Sequence, residues 1–172
     1  MTDTDRPIVR AALESDAASL AILGERLAES DPYLVVSGFD PVTGVTLLKG
    51  STGAAAQAQT SQIFVAEHDG ELAGLAICRC HPPPERDTVL QLDLGVDSRY
   101  RRHGLGSALI RHSLFWAQEV GLHRVQLAVV AENKAAIAVY EKHGFEIEGT
   151  LRKGFRLAGQ LHDVHVMARL LR

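Results

Sequence analysis

The chain has 172 residues, of which 46% are hydrophobic and 23% charged, and its formal net charge at pH 7 is -3. This composition is normal for a soluble globular protein and lacks the positive excess of a nucleic-acid-binding domain, so no nucleic-acid partner is expected. No apolar run is long enough to cross a bilayer and the N-terminus is acidic, so we expect a cytoplasmic protein with a single domain over residues 1–172 and no membrane partner.

A strand and a helix open the chain. Residues 8–13 predict the strand, and Ser15-Asp16 offers an N-cap for the helix that follows. The leucines at helical spacing on its buried face are Leu20, Leu23 and Leu27.

The next thirty residues are hard to interpret. Asp31-Pro32 marks a break. Residues 34–36 and 45–48 suit short pieces of either helix or strand. Residues 50–60, rich in Gly, Ala, Ser, Thr and Gln, suit either a loop or part of a helix.

A hairpin and a further strand follow. Residues 63–66 predict a strand, Asp69-Gly70 a tight turn, and residues 72–80 the return strand. The prolines at 82–84 end it, because proline cannot donate to a strand ladder. Residues 89–96 predict the next strand.

The two cysteines, Cys78 and Cys80, would point to the same face of the return strand. We expect small buried hydrophobes there rather than a disulfide or metal pair. The eight histidines are scattered, so no metal site is predicted.

The second half alternates helices with strands. Residues 104–120 predict a helix ended by Gly121, with Leu105, Leu109, Trp116 and Val120 on one face. Residues 125–130 predict a strand whose apolar run suggests burial on both faces. Asn133 caps a short helix that Gly144 closes.

Two strands, residues 145–156 and 162–171, finish the chain around a turn at residues 158–160. In the last strand a buried face alternates with a partly wet one. The expected buried residues are Val164, Val166, Ala168 and Leu170, and the others are Asp163, His165, Met167 and Arg169. The whole order predicts an α/β arrangement around a mixed sheet.

The most informative motif lies between the strand at 89–96 and the helix after it. The basic residues Arg101-Arg102-His103 precede Gly104-Leu105-Gly106, which opens the helix. Free backbone N–H groups and the positive end of the helix dipole converge there, and glycine lets a phosphate approach, so the motif predicts an anion site. The Gly-Lys-Ser/Thr of a Walker loop is absent, and Leu109 replaces the third glycine of a dinucleotide motif.

The remaining pattern, Arg-x-x-Gly-x-Gly, resembles the acyl-CoA pyrophosphate loop of the GNAT N-acetyltransferase family. Residues 133–145 resemble that family's Asn-x-x-Ala-Ile-x-Leu-Tyr-Glu-Lys-x-Gly-Phe segment, with Val139 in place of Leu. The C-terminal part resembles the branch with ribosomal-protein, polyamine and phosphinothricin-like acetyltransferases. The residues that carry this likeness are Glu148, Gly149, Arg152, Gly159, Asp163 and Met167.

The resemblance implies a mixed, mostly antiparallel sheet with helices on both faces, splayed between the strands near 89–96 and 125–130. Acetyl-CoA would lie in that gap against the backbone of Leu94 and Val96, and Gly95 would suit a bulge. The pyrophosphate would be held by Arg101, Arg102, His103, Gly104, Leu105, Gly106 and Ser107. Asn133 would contact the cofactor near the thiol, and Lys142 would be either a CoA phosphate ligand or a solvated lysine.

The resemblance also implies that a primary amine attacks the thioester of acetyl-CoA directly. The amine must lose a proton, and the leaving thiolate needs an acid. Tyr140 matches the family's acid; the alternative is a packed aromatic. Many relatives carry Glu at the place of Gln91, so Asp93, on the same strand face, is the predicted base, with a structural or substrate-binding carboxylate as its alternative. His165, Asp163 and water alone stay open.

Two other function classes stay open. Gln91 allows a non-catalytic acyl-CoA-binding module, and residues 99–103 allow a nucleic-acid binder, which the acidic net charge disfavours. The acceptor could be a small amine, an amino acid or a protein N-terminus. A homodimer is suggested by family analogy alone.

Overall fold

The computed structural model describes residues 7–31, 33–34, 61–80 and 89–171. The predictions made for Pro32, for residues 35–36, 45–48 and 50–60, and for the prolines at 82–84 lie outside these residues.

The described chain contains seven strands and three α-helices. They are β1 (Ile8–Ala11), α1 (Ala17–Ser30), β2 (Ser61–His68), β3 (Glu71–Cys80), β4 (Val89–Val96), α2 (Leu105–Glu119), β5 (Arg124–Val130), α3 (Lys134–Lys142), β6 (Glu146–Leu157) and β7 (Gln160–Leu170). Each predicted strand is present, with ends displaced by at most two residues. None of these helices combines the length and the apolar character needed to cross a membrane.

The strands form one sheet in the order β1-β2-β3-β4-β5-β7-β6. All neighbours are antiparallel except β4 and β5, which run parallel. These two strands pair only at Val89–Arg124, Leu90–Val125 and Gln91–Gln126. Beyond Gln91 they separate, so the predicted mixed, mostly antiparallel sheet splayed between β4 and β5 is confirmed.

Helices cover both faces of the sheet, as predicted. On one face Leu23 and Leu27 of α1 are fully buried against β2 and β3. On the other face Leu105 and Leu109 of α2 join Phe145, which follows α3, in a larger apolar cluster. Burial of each such side chain contributes about 1.5–3 kcal/mol, so the two cores fix the sheet from both sides.

The β2–β3 hairpin and the burial of Cys78 follow the sequence prediction. Asp69 and Gly70 both have positive φ, 51° and 78°, as a type I′ turn requires. Cys78 is fully buried and contacts Ser113, and burial raises the pKa of its thiol to about 12. Cys80 is only half-buried, which differs from the burial expected for it, and neither cysteine forms a disulfide.

Asp16 precedes α1 as expected but does not cap it through its side chain. Its carboxylate accepts the Leu13 N–H at 2.8 Å and pairs with Arg10 at 2.7 Å. The strong hydrogen bonds of the Arg10 side chain hold the pKa of Asp16 below its usual value. The carboxylate therefore ties β1 to the start of α1.

The predictions of which faces of β7 and β5 are buried were wrong in part. In β7, Met167 is fully buried opposite Leu127, whereas Leu170 is 70% exposed. The helices α2 and α3 pack on the Met167 face, while α1 packs on β2 and β3. In β5 only one face is fully buried, since Gln126 and Ala128 are half-buried.

Candidate active site

A cleft of about 590 Å³ opens where β4 parts from β5. The end of α1, the turn after β4, the first turn of α2 and the inner side of α3 form its other walls. It brings together most of the predicted site residues. Those that line it are Asp93, Leu94, Val96, Arg101, Arg102, Gly104, Leu105, Gly106, Ser107, Asn133 and Tyr140.

The backbone of β4 is presented to this gap. Asp97 donates its N–H to Ala73 of β3 at 2.9 Å, and Gly95 pairs with Leu75. Because backbone groups along a strand point alternately to its two neighbours, Leu94 and Val96 direct theirs away from β3. These two residues therefore offer hydrogen-bonding groups to an extended ligand in the gap.

Gly95 makes no bulge. The pairing of β3 with β4 runs without a shift from Cys80–Leu90 to Gly74–Val96. A Cβ on Gly95 would lie 2.9 Å from Leu27 Cδ1, so the glycine lets α1 pack closely on β4.

The turn before α2 has the backbone of an anion site. Arg102 and Gly104 both adopt the left-handed conformation, with φ of 69° and 79°. The first helical hydrogen bond is from Ala108 N–H to the Gly104 carbonyl, at 2.9 Å. The N–H groups of the first turn therefore lack intrahelical acceptors and point to the head of the helix, beside Arg101 and Arg102.

Buried Asp97 anchors this turn to α1. Its carboxylate lies 3.0 Å from Arg99 Nη2 and 3.1 Å from Arg26 Nε, and Arg26 also donates to the Leu72 carbonyl. Burial opposes ionisation of Asp97, but the hydrogen bonds from Arg99 and the charge of Arg26 hold its pKa below the usual value. The base of the turn is thus fixed before any ligand arrives.

The basic cluster at residues 99–103 is largely engaged by carboxylates. Arg99 pairs with Asp97 and with Glu71, and Arg101 pairs with Asp31 at 3.3 Å. Less positive charge is therefore available to a nucleic acid than the sequence indicates.

Tyr140 is buried in the wall of the cleft, with 8% of its surface exposed. Its ring packs edge-on against Phe145, with 5.8 Å between centroids. Burial raises the pKa of the phenol, and the charges of Asp93 and Asp31 add to the effect. The hydroxyl therefore keeps its proton at neutral pH and can act as a donor.

Asp93 lies on the α1 side of β4, with 2% of its side chain exposed. The Arg79 guanidinium of β3 forms an ion pair with it. Next to this pair, the Gln126 amide donates to Gln91 Oε1 at 3.3 Å. The predicted base thus stands in the cleft, as a carboxylate held by an arginine.

Four other candidates lie outside the cleft lining. His165 contacts Thr150 at 2.8 Å and sits beside Val129, on the α2 face of the sheet. Asp163 accepts the backbone N–H of Lys153. The His103 ring packs 4.9 Å from that of His68, and Lys142 is exposed at the end of α3.

The sequence analysis missed Asp31, Tyr33 and Arg79. The first two line the cleft from the segment that gave no clear pattern. Arg79 could have been noticed as a charge between Cys78 and Cys80 in an otherwise apolar strand. Asn133 caps α3 as predicted, since its side chain accepts the Ala136 N–H at 3.2 Å, and it also lines the cleft. Within the described ranges, no group of three or more His, Cys, Asp or Glu residues could hold a metal ion.

The family model "Acetyltransferase (GNAT) family" matches residues 38–145. L-amino acid N-acetyltransferase AaaT of Escherichia coli is 36% identical over 108 residues, which are 62% of this chain and 67% of that protein. The [ribosomal protein bS18]-alanine N-acetyltransferase of the same bacterium is 35% identical over 92 residues, or 54% of this chain and 59% of the relative. The match to this second relative thus spans little more than half of its length.

Solved structures share the whole fold. An acetyltransferase of the GNAT family from Streptococcus pneumoniae has a TM-score of 0.85 at 28% identity, covering 97% of this chain and all of that one. The structure of yncA from Salmonella typhimurium, solved with its cofactor acetyl-CoA, has a TM-score of 0.81 at 17% identity, covering 96% and 94% of the two chains.

Proposed function

The chain belongs to the acetyltransferase (GNAT) family, and from this premise we propose that it transfers acetyl from acetyl-CoA to a primary amine, within one domain. The observation that carries the proposal is the cleft, where a free strand edge, a helix N-terminus with two arginines and a buried tyrosine meet. An extended pantetheine arm suits the edge of β4, and a pyrophosphate suits the turn.

The donor site consists of the residues that line this part of the cleft. Leu94 and Val96 supply backbone groups, residues 101–107 hold the phosphates, and Asn133 lies near the thiol end. His103 contributes only through its backbone, because its ring packs on His68. Lys142 lies outside the cleft lining and is not included.

The chain's own groups move the protons. Asp93, directly or through water, takes one proton from the acceptor ammonium, and the amine nitrogen bonds to the acetyl carbon. The carbon–sulfur bond breaks, and Tyr140 protonates the sulfur. The second proton of the nitrogen replaces the one that Tyr140 gives up. A backbone N–H at the splayed edge of β4 faces the charge that develops on the carbonyl oxygen.

Two acceptor classes follow from the names of the relatives. One is a free L-amino acid and the other is an N-terminal alanine of a protein. Both present an α-amine, so we propose an α-amine as the acceptor group. Acetyl-CoA is a cytoplasmic metabolite, which supports a cytoplasmic location.

An assay of free CoA release from acetyl-CoA, run across small amines, L-amino acids and peptides, tests the function. We expect release that depends on an α-amine, with the acetylated product seen by mass spectrometry. Binding of acetyl-CoA without release on any amine would instead indicate the non-catalytic module. Salt-sensitive retention of DNA or RNA would instead indicate a nucleic-acid-binding protein.

The homodimer is also proposed, with β6 as its contact. This strand of 12 residues forms one edge of the sheet, and its Leu151 is 56% exposed. Glu146 stands near one end and Arg156 near the other, so two antiparallel copies would place opposite charges together. Light scattering coupled to gel filtration would measure the mass, and a monomer at all concentrations would contradict it.

A further inference from the structure

Two opposite charges stand side by side next to the cleft, whose lining includes Asp93 but not Arg79. Asp93 on β4 and Arg79 on β3 form an ion pair on the α1 face of the sheet. The Asp93 side chain is 2% exposed, whereas that of Arg79 is 28% exposed. Solvent therefore reaches this pair from the arginine side.

The positions of the two groups relative to the cleft differ. Asp93 lines the cleft, close enough for its charge to act on the Tyr140 phenol. Arg79 lies one strand further out, opposite Gln91. A molecule that presents a cation to Asp93 would thus extend its remaining groups toward Arg79.

We infer that the acceptor is a free α-amino acid, whose amine lies at Asp93 and whose carboxylate binds Arg79. The amine and carboxylate of an amino acid are one carbon apart, which matches two adjacent side chains of opposite charge. A guanidinium has five N–H donors and can bind the carboxylate of the amino acid as well as that of Asp93. The two arginines that line the cleft, Arg101 and Arg102, stand at the donor end.

The same geometry disfavours a peptide N-terminus. In a peptide, the group next to the amine is a neutral amide that cannot neutralise a guanidinium. A simple alkylamine offers nothing to Arg79 at all. Free amino acids should therefore be preferred over both of these acceptor classes.

The inference rests on the proposed function, and the test separates the two. The wild-type protein is assayed for CoA release with each of the twenty L-amino acids, their carboxamides and the corresponding decarboxylated amines. If neither these amines nor peptides with a free N-terminus release CoA, the proposed function fails; if only the peptides do, the inference alone fails. If the carboxamides or amines react as well as the acids, the inference fails while the function stands.

Variants at Arg79 give the second comparison. Charge-assisted hydrogen bonds to a carboxylate suggest a loss of about 10- to 100-fold in kcat/KM for the acid in Arg79→Gln. The carboxamide should lose much less, so the acid-to-amide ratio falls. Arg79→Lys keeps the charge and should recover part of the ratio. Arg111→Gln, which changes an exposed arginine of α2 outside the cleft lining, serves as the matched control and should change neither the activity with the acid nor the acid-to-amide ratio.

Binding provides a readout that does not need turnover. Calorimetry of the preferred amino acid with the CoA-saturated protein should show a weaker Kd in Arg79→Gln, while the Kd for CoA stays the same. Retained CoA binding also shows that the variant is folded. Equal losses for acid and carboxamide in both variants would overturn the inference, because Arg79 would then act only through Asp93.

Discussion

The guanidinium of Arg101 lies 3.3 Å from the carboxylate of Asp31, so the phosphate turn and the end of α1 are joined across the mouth of the cleft. Both residues line the cleft. A phosphate bound at the turn would compete with Asp31 for the same arginine. The donor would therefore have to displace an internal ion pair as it binds.

We expect Asp31→Asn to bind CoA about 1.4- to fivefold more tightly, because a partly exposed ion pair contributes about 0.2–1 kcal/mol. The amide keeps the acceptor for the Tyr33 N–H, which now binds Asp31 Oδ1 at 3.0 Å. Calorimetry at low and high salt measures the gain, which should shrink as salt screens the charges. Glu132→Gln, an exposed change outside the cleft lining, is the control. Unchanged or weaker affinity would mean that Arg101 does not contact the donor.

Tyr140→Phe should lower kcat by about 100-fold, a typical loss for a general acid, and leave the Kd of CoA unchanged. Phenylalanine keeps the ring that packs against Phe145, so the wall of the cleft is preserved. Because burial raises the pKa of Tyr140, the wild-type rate should not fall through loss of this proton near the ordinary tyrosine value. Rapid-mixing measurements of CoA release check the acid role, and an unchanged rate of release would reject it.

Asp93→Asn should lower kcat/KM by about 100-fold and remove or move the acidic limb of its pH profile, since an amide cannot accept the amine's proton. The control is Asp163→Asn, whose carboxylate binds the Lys153 N–H outside the cleft lining. Full activity with an unshifted profile would leave Asp93 as a structural carboxylate. A rise in KM for the amine with kcat unchanged would mean that Asp93 binds the amine and does not take its proton.

Cys78 should make stability depend on alkaline pH. Its folded pKa, about 12, lies above the ordinary value of 9.0, so its contribution is complete below pH 9 and is lost as pH rises from 9 toward 12. The slope is up to about 1.4 kcal/mol per pH unit. Urea unfolding at pH 8 and pH 10 should show a smaller loss for Cys78→Ala than for Cys80→Ala. Equal losses would contradict burial of the Cys78 thiol.

The phosphate turn and the strand before it could be predicted because their signals are local. Gly104 marks a left-handed residue at a helix start, and residues 89–96 form an apolar strand of the right length. The splay between β4 and β5 was reached only through the family resemblance. The sequence of either strand by itself does not predict over how many residues two parallel neighbours stay hydrogen-bonded.

The features that were missed depend on packing between distant segments. The ion pair of Arg79 with Asp93 needs the register of β3 on β4, which the sequence does not state. Gly95 suggested a bulge, but a glycine is needed there because Leu27, far away in the chain, packs against it. Met167 is buried because of where α2 and α3 pack, so period-two alternation alone could not decide which face of β7 is covered.

Gly106→Ala should separate folding stability from donor binding. A Cβ on Gly106 would lie 3.7 Å from Val96 Cγ2 and 3.9 Å from Leu94 Cδ2, which are ordinary contacts. Alanine in place of a helical glycine stabilises by about 0.5–1 kcal/mol, so urea unfolding should show a higher free energy of unfolding.

The same methyl group would project into the cleft between the phosphate turn and β4, where the donor must approach the backbone. We therefore expect the Kd for CoA, measured by calorimetry, to weaken by at least about tenfold, since a loss of 1.4 kcal/mol is tenfold. Gly95→Ala provides the contrast, because its Cβ would meet Leu27 at 2.9 Å and overpacking costs about 1–3 kcal/mol of folding stability. A Gly106→Ala variant that is stabilised and still binds CoA normally would show that the phosphates lie elsewhere.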